Sequence, residues 1–387
     1  PFFHRPRQLM TSFDPDMASM IHSEMRRHGI KLLLGYTVEG FREKDHEAEV
    51  LLKDNPSLRA DMVILAIGVT PDTALAKEAG LELGIKGSIV VNDRMETSVP
   101  DIYAAGDAVQ VKHYVTGEDT LLSLAGPANK QGRIIADNIC GGDSHYLGSQ
   151  GSSLIKVFDM TAATTGINET NARRAGLQVD TVILSPMSHA GYYPGGKVMT
   201  MKVVFEKATC RLLGAQIIGY EGVDKRIDVL ATAIHAGMKA TQLKDLDLAY
   251  APPYSSAKDP VSMAGFMIDN ITKEILKQWH LEDMDAVLKE EGAVLLDVRT
   301  VQEYSRGHIS GFINIPLDEL REHIHEIEKG KPVYLICQSG LRSYIASRIL
   351  EGYGYETYNF SGGFRYYDAV VNDRALIERA YACGMDY

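Results

Sequence analysis

The spacing of hydrophobic and polar positions divides the first part of the chain into one helix and several strands. Between Met17 and Met25, apolar residues recur at helical intervals, which predicts an amphipathic helix. From Lys31 to Gly68, the segments KLLLGYTVEGF, EAEVLLKD and MVILAIG are typical of strands, and the unbroken apolar run of the last predicts a buried one. Residues 1–70 are therefore predicted to be the end of a sheet domain.

The same pattern predicts two further units. Over 71–148 it indicates a short helix, TALAKEAG, then two strands in KGSIVVNDRMETSVPDIYAAGDAV and a long helix over about 126–138. Over 149–270, strands of antiparallel character precede the helix DKRIDVLATAIHAGM. The unit over 149–270 is predicted to be an α+β layer.

The end of the chain is predicted to be a separate compact unit. A linker over 271–282, which carries the only tryptophan, Trp279, leads into residues 283–387. There AVLLDVRT and PVYLIC are typical of buried strands, and LRSYIASRILEGYG is typical of an amphipathic helix. The predicted fold class of the whole chain is multidomain α/β.

Composition and charge exclude several classes of partner. With 387 residues, the chain is long enough for two or three domains. A net charge of -11 without a basic stripe argues against nucleic acid, and no apolar run is long enough to span a bilayer, so we expect no membrane partner. The opening segment has no signal-peptide pattern and starts as though in mid-domain, which indicates a fragment of a cytoplasmic protein.

Four cysteines are scattered along the chain without the spacing of a structural zinc site: Cys140, Cys210, Cys337 and Cys383. We therefore predict no metal site and a reducing compartment. Cys337 differs from the other three because strand VYLIC delivers it to a loop, CQSGLRS, that turns directly into a helix. Backbone N–H groups at the helix start and the cation of Arg342 would stabilise a thiolate or persulfide, and a thiolate is the nucleophile of sulfur transfer.

The cysteine loop also has two competing interpretations. A small buried residue that ends a strand is the commoner role of an intracellular cysteine. However, CQSGLRS, together with LLDVRTVQEYSRGHISGFINIP and NFSGGF, resembles the single-domain rhodanese family over about 282–370. The related cysteine-loop phosphatases usually have a loop one residue longer, so the short loop favours sulfur over phosphate. The resemblance implies that Cys337 is the nucleophile.

A second resemblance lies in TSVPDIYAAGDA, which is similar to the second flavin motif of the disulfide reductases with two dinucleotide-binding domains. It implies that Asp107 accepts a hydrogen bond from a ribityl hydroxyl and that the Ala108 N–H faces the pyrophosphate of FAD, while small residues such as Gly106 let the backbone approach. In the same family, AIGVTP, which contains Gly68, is the return from the nicotinamide domain, and the helix at Pro127 points at the flavin ring. Without the family, each segment is only a strand end, a turn or a helix start.

The dinucleotide fingerprints of that family are missing from the chain. No GxGxxG follows a strand, and the redox cysteine expected before the nicotinamide domain is absent. Compared with a full-length member, about the first third is not in this sequence. We therefore expect the chain to bind flavin poorly.

The segment 152–265 resembles the dimerisation domain of the coenzyme A disulfide reductases and the NADH oxidases and peroxidases. Its SHAGYYPGGKV and LDLAYAPPYSSAKDPV stretches place Tyr192 and Tyr250 at the positions where, in the coenzyme A disulfide reductases, tyrosines reach the redox cysteine of a dimer partner. A phenol beside a sulfur can donate a hydrogen bond or a proton. Packing is the alternative role, which we expect for Tyr193 and Tyr254.

Together the segments resemble the coenzyme A disulfide and persulfide reductases with a fused rhodanese domain. This implies a homodimer with FAD and NAD(P)H that acts on coenzyme A and small thiol or persulfide substrates, with sulfur loaded on Cys337. Two alternatives remain open: an NADH oxidase or peroxidase with a rhodanese tail, and a non-catalytic dimer that carries sulfur for a partner.

Overall fold

The computed structural model describes residues 1–382, so Cys383 lies outside the described residues. Helices and strands are numbered separately in chain order. Within the described residues, no helix combines the length and apolar character needed to cross a membrane.

The first unit is a parallel strand pair followed by a three-stranded antiparallel sheet. Its elements are β1 (Phe2–His4), α1 (Pro15–Arg27), β2 (Leu32–Leu34), β3 (Val38–Lys44), β4 (Glu47–Leu52) and β5 (Asn55–Ala60). The predicted amphipathic helix is confirmed as α1, because Met17 and Ile21 are buried in one cluster with Ala162 and Ile218.

The prediction that MVILAIG forms a buried strand is wrong. Residues 61–72 form no strand, and Met62, Ile64 and Ile67 are 76%, 82% and 91% exposed. A strand needs a neighbour to accept its backbone hydrogen bonds. No strand of the described chain pairs with this segment. Its apolar pattern is that of a strand, but the hydrogen-bonding neighbour that a strand requires is missing.

The second unit contains α2 (Ala74–Glu78), β6 (Ile89–Val90), β7 (Val109–Lys112), β8 (Asp119–Thr120) and α3 (Ala125–Ile139). Both predicted helices are confirmed. The strand expected before Gly106 is reduced to one isolated bridge between Glu96 and Tyr103. Pro100 has no N–H to donate, and Asp101 has a φ of 62°, so the chain turns away before a longer ladder forms.

The third unit is an antiparallel five-stranded sheet in the order β11-β12-β13-β10-β9. Its elements are β9 (Ser153–Val157), β10 (Met160–Gly166), α4 (Glu169–Arg174), β11 (Val179–Leu184), β12 (Met199–Glu206), β13 (Leu212–Gly219), α5 (Val223–His235) and α6 (Pro260–Thr272). Every residue of β13 is buried because both faces are covered. Ile217 shares a cluster with Leu230 of α5, and Ile218 shares one with Ile21 of α1. The predicted α+β layer is confirmed.

The fourth unit is a parallel five-stranded sheet in the order β14-β18-β17-β15-β16. Its elements are β14 (Gln278–Trp279), α7 (Met284–Val287), β15 (Val294–Asp297), α8 (Val301–Ser305), β16 (Ile313–Asn314), β17 (Val333–Ile336), α9 (Leu341–Gly352), β18 (Thr357–Phe360) and α10 (Gly363–Ala382). The predicted linker over 271–282 thus includes an edge strand, in which Trp279 is buried. Parallel strands β15 and β17 end at the same sheet edge, which brings the loops after Asp297 and Ile336 together.

The fourth unit is fixed to the rest of the chain by buried polar contacts. The Tyr366 hydroxyl on α10 donates to Asp16 Oδ2 at 2.6 Å. His22 on α1 accepts from a backbone N–H through Nε2 at 3.0 Å, and its Nδ1 lies 2.8 Å from Asp373 Oδ2. The Ile183 N–H on β11 donates to Ser361 Oγ at 3.0 Å. Because buried polar groups are costly to leave unpaired, these contacts define one docked position.

Candidate active site

Cys337 follows β17 directly, and its side chain is fully buried. The Gly340 N–H donates to Cys337 Sγ at 3.1 Å, and the Ser343 hydroxyl donates to it at 3.2 Å. Gly340 precedes α9 with a φ of 95°, a conformation that favours glycine, and this aims its N–H back at the sulfur. Hydrogen bonds to an anion are stronger than those to a neutral acceptor, so both donors stabilise a thiolate or a persulfide.

The Ser343 hydroxyl has a choice of acceptors. Its oxygen lies 3.2 Å from Cys337 Sγ and 3.1 Å from the Gly340 carbonyl oxygen. A hydroxyl has one proton, so it donates to only one of them at a time. Negative charge on the sulfur turns this proton towards Sγ, whereas a neutral thiol leaves it with the carbonyl.

Arg342, predicted to act on the sulfur, is paired with a carboxylate. Its Nη1 and Nη2 donate to Oε2 and Oε1 of Glu303, both at 2.7 Å. The pair lowers the pKa of Glu303 from 4.5 to about 2 through the hydrogen bonds from Arg342, and it raises the pKa of Arg342. The cation of Arg342 is thus matched by an anion. The two donors within hydrogen-bond distance of Cys337 Sγ are the Gly340 N–H and the Ser343 hydroxyl.

A buried ion pair supports the cysteine loop from the neighbouring strand. Arg299 Nη2 donates to Asp297 Oδ2 at 2.7 Å and to the Gly307 carbonyl oxygen at 2.8 Å. Its guanidinium carbon lies 3.8 Å from the centroid of the Phe364 ring. The Phe364 N–H in turn donates to the Cys337 carbonyl oxygen at 2.7 Å. Arg299 is therefore connected to the backbone of Cys337 through one intervening residue.

The glycine pair in NFSGGF allows α10 to approach the cysteine loop. Gly363 has a φ of 72°, and a Cβ there would lie 2.7 Å from the Ser339 nitrogen. Gly362 has a φ of 100°, and a Cβ there would lie 2.7 Å from the Tyr366 ring. Both positions require glycine, so this motif has a steric reason that is independent of the chemistry.

The two predicted tyrosines come together although 58 residues separate them. Tyr192 lies between β11 and β12, Tyr250 lies before α6, and their hydroxyl oxygens are 3.0 Å apart. Both side chains are exposed, at 77% and 45%. The hydrogen bond with Tyr192 raises the pKa of Tyr250. The pair thus presents two phenols at a surface.

The predicted flavin residues are only partly brought together. Gly106–Ala108 forms a 3-10 turn in which Gly106, at a φ of 82°, donates its N–H to Gln131 Oε1 of α3 at 2.7 Å. The turn therefore lies against the helix whose first turn contains Pro127, and the Asp107 side chain is exposed. Gly68, by contrast, lies in the exposed segment after β5 and joins no strand.

Sequence reasoning did not single out Ser343 as a site residue. It is six residues after Cys337, in the first turn of α9, where a side chain can point back to the strand end. The sequence signal that could have identified Ser343 is a hydroxyl-bearing residue at that position of a cysteine loop. Its contact with Sγ depends on the turn at Gly340.

Comparison with known proteins assigns each part of the chain to a family. The model of the pyridine nucleotide-disulphide oxidoreductases matches residues 2–132, the model of their dimerisation domain matches 152–260, and the model of the rhodanese-like domain matches 280–369.

Curated relatives and solved structures agree with this assignment. The chain is 37% identical over 255 residues to the CoA-dependent NAD(P)H sulfur oxidoreductase of Pyrococcus abyssi, covering 66% of this chain and 56% of the relative. It is 31% identical to the coenzyme A disulfide reductase of Staphylococcus aureus strain JH9, covering 68% and 59%. The chain thus spans somewhat more than half the length of the curated relatives it matches.

Two solved structures match almost the whole chain. Reduced CoADR-RHD of Bacillus anthracis is 44% identical with a TM-score of 0.92, covering 96% of this chain and 66% of that one. The NAD-dependent persulfide reductase of A. fulgidus is 37% identical with a TM-score of 0.87, covering 94% and 66%.

The fold, the cysteine loop and these matches place the chain in the class of the pyridine nucleotide-disulphide oxidoreductases, here with a rhodanese-like domain. Within that class, the chain belongs to the family of the coenzyme A disulfide reductases and the persulfide reductases with a fused rhodanese domain. The predicted fold class and family resemblance are confirmed.

Proposed function

We propose that this protein transfers sulfane sulfur through Cys337 to coenzyme A and reduces the resulting persulfide, or coenzyme A disulfide or polysulfide, with NAD(P)H. The single observation that carries the proposal is the pair of donors on Cys337 Sγ, from the Gly340 N–H and the Ser343 hydroxyl. They stabilise the two anionic states, thiolate and persulfide, between which a sulfur carrier alternates. The names of the relatives supply the substrate class.

The transfer itself is a pair of displacements. The Cys337 thiolate attacks the outer sulfur of a donor such as thiosulfate, a new S–S bond forms, and sulfite leaves with the electron pair of the broken S–S bond. A coenzyme A thiolate then attacks the outer sulfur of the Cys337 persulfide, which forms coenzyme A persulfide and returns the thiolate. Reduction of that persulfide to thiol and hydrosulfide consumes two electrons from NAD(P)H.

FAD fits the residues that are present, which supports its assignment as the cofactor. Gly106, at a φ of 82°, donates its N–H to Gln131 Oε1 of α3 at 2.7 Å, and the Asp107 carboxylate is exposed beside it. Pro127 lies in the first turn of α3, at the positive end of the helix. When bound, FAD supplies two-electron transfer between NAD(P)H and a sulfur–sulfur bond. Asp107, Ala108 and the start of α3 would hold it.

The tyrosine pair would serve the reductive half. Tyr250 and Tyr192 are exposed and hydrogen-bonded to each other, so either can donate to a sulfur brought to this surface. A homodimer is part of the proposal, because a partner subunit would bring that sulfur, and the match to a dimerisation domain supports it. A reducing, cytoplasmic location is also part of it, because Cys140, Cys210 and Cys337 are free thiols.

The experiment separates the two halves of the activity. Purified protein is incubated with thiosulfate, and peptides are examined by mass spectrometry for an added sulfur on Cys337. Turnover with cyanide is then measured, followed by NADH consumption with coenzyme A persulfide in the flavin-loaded protein. We expect Cys337→Ser to abolish sulfur loading and thiocyanate formation, while Cys140→Ser, at an exposed cysteine, leaves both unchanged.

Other outcomes select the alternatives. Sulfur loading without NADH consumption, in protein that retains flavin, would favour a sulfur-carrying dimer. NADH consumption that requires oxygen and ignores persulfide would favour an oxidase. Equal loading of wild type and Cys337→Ser would reject the proposed role of Cys337.

A further inference from the structure

The loops that carry Tyr192 and Tyr250 have no regular secondary structure of their own at the tyrosines. The first runs from β11 to β12, and the second runs from the end of the 3-10 helix Ala240–Asp245 to α6. Within the described residues, one backbone hydrogen bond joins the two loops, from the Ala190 N–H to the Ser255 carbonyl oxygen at 2.9 Å. A 3.0 Å contact between two exposed phenols therefore needs a further constraint on the loops.

Arg226 supplies contacts to both loops from the first turn of α5. Its side chain is 1% exposed. Nη2 lies 3.0 Å from the Ser188 carbonyl oxygen in the Tyr192 loop. The same nitrogen lies 3.3 Å from the Tyr254 carbonyl oxygen and 2.9 Å from Ser255 Oγ in the Tyr250 loop. One guanidinium group thus bridges the two loops below the tyrosines.

A carboxylate fixes the orientation of that guanidinium. Asp259 Oδ2 accepts from Arg226 Nε at 3.2 Å and from Nη2 at 2.9 Å. Ser255 Oγ donates to the same oxygen at 2.7 Å. The other oxygen, Oδ1, accepts from the Val261 N–H at 3.0 Å and so caps α6. Because every partner is buried or backbone, the arrangement has little freedom to adopt another geometry.

We propose that Arg226 is the positioning residue that brings Tyr192 and Tyr250 into register as one proton-donating pair. The chemical use of the pair rests on the proposed function, whereas its geometry does not. Nη2 reaches acceptors on both loops while Nε donates to Asp259, and the single nitrogen of a lysine ammonium cannot make all of these contacts at once. Arg226→Lys removes the bridge between the two loops. It keeps a positive charge beside Asp259, so the buried carboxylate still has a partner.

The test reads the tyrosine pair directly, without enzymatic activity. Tyr250 is replaced by 3-fluorotyrosine in the full chain, and the titration of its phenol is followed by fluorine NMR. The hydrogen bond with Tyr192 raises the pKa of Tyr250, so Tyr192→Phe should lower the midpoint. Arg226→Lys should lower it in the same direction, and Ser255→Ala should lower it less. Arg211→Lys, an exposed position in the β12–β13 hairpin, should leave the midpoint unchanged.

The outcomes separate positioning from a merely structural role. Circular dichroism confirms that each variant is folded, and Ser255→Ala decides the question if Arg226→Lys does not fold. A wild-type midpoint in folded Arg226→Lys and Ser255→Ala, with a lowered midpoint in Tyr192→Phe, would overturn the proposal. No change in Tyr192→Phe would also overturn it, because the pair would then not exist in solution. Failure of the proposed function would give a different result. Reductase activity would be unchanged in Tyr192→Phe and Tyr250→Phe, while the midpoint of the Tyr250 phenol would still be lowered in Tyr192→Phe and Arg226→Lys.

Discussion

Arg342 and Glu303 form an ion pair with two hydrogen bonds of 2.7 Å, at the side of the cysteine loop. The pair joins α9, which follows the loop, to α8, which follows the neighbouring strand β15. An arginine in such a loop is expected to attract an anion, but here both terminal nitrogens of its guanidinium group already donate to a carboxylate. The immediate donors to sulfur are a backbone N–H and a hydroxyl, and this distinction determines how variants of the loop should behave.

The Arg342–Glu303 pair should contribute a pH-dependent part of the stability. The pKa of Glu303 is lowered to about 2 in the folded state, from 4.5. The contribution is therefore complete above about pH 5 and is lost as the pH falls through the folded-state value. Because both side chains are about 30% exposed, Glu303→Gln should cost only about 0.5–1 kcal/mol at neutral pH.

Urea unfolding at neutral pH and at successively lower pH measures this difference. The difference in free energy of unfolding between wild type and Glu303→Gln should become smaller as the pH is lowered. Glu328→Gln, which removes an exposed pair with Lys331, serves as the control and should change little at any pH. A gap that widens with acidification would contradict the assigned direction.

Ser343→Ala should slow sulfur transfer without unfolding the protein. A hydrogen bond to a charged group is worth roughly 1.5–3 kcal/mol, so loss of the hydroxyl should reduce the rate of persulfide formation by about 10-fold to 150-fold. Ser347→Ala is the matched control, because Ser347 is equally buried on the same helix but donates to the Tyr344 carbonyl oxygen at 2.7 Å. Stopped-flow reaction with thiosulfate gives both rates, and equal rates for the two variants would exclude the role of Ser343.

Gly363→Ala should disturb the cysteine loop through its backbone. An alanine at a φ of 72° is strained, and its Cβ would lie 2.7 Å from the Ser339 nitrogen. The left-handed conformation alone costs roughly 1–2 kcal/mol, and the steric contact adds to that cost. Both the free energy of unfolding and the rate of sulfur loading should fall.

Gly352→Ala provides the comparison, because among the described residues no atom outside its own helix and its chain neighbours lies within 4 Å of its added Cβ. It ends α9, so the substitution should be neutral or slightly stabilising. Chemical unfolding and thiosulfate turnover are measured for both variants. A fully active and stable Gly363→Ala would show that α10 can move away from the loop.

Asp373→Ala should loosen the fourth unit from α1. The carboxylate is 2% exposed and pairs with His22, at 2.8 Å, and with Arg26. Removal of one partner from a buried pair costs roughly 3–5 kcal/mol because the remaining groups are left unpaired. Asp368→Ala, at an exposed position of the same helix, should have no comparable effect.

Hydrogen exchange distinguishes local loosening from global unfolding in that variant. Amides of α10 and α1 should exchange faster, while those of the β12–β13 hairpin keep their protection. Uniformly faster exchange would indicate a loss of overall stability instead. Unchanged exchange in α10 would show that the contact does not hold the units together.

The sequence by itself determined the identity of most elements and the position of Cys337, the proposed nucleophile. Helical spacing at Met17 to Met25 and the apolar strand before Cys337 are local patterns, and each requires only short-range backbone geometry to be interpreted. The combination of CQSGLRS with its flanking motifs indicated sulfur chemistry. These features could be predicted because they are encoded in residues close together in the chain.

The tertiary structure decided which side chains meet. The partner of Arg342 is 39 residues away, and the partner of Tyr192 is 58 residues away, so neither pairing is present in any local pattern. The segment MVILAIG has the pattern of a buried strand but is exposed, because a strand also requires a neighbour. Cys337 and its two donors lie within seven residues of the sequence, whereas the partner of Arg342 and the contacts of Arg226 with both tyrosine loops depend on long-range packing.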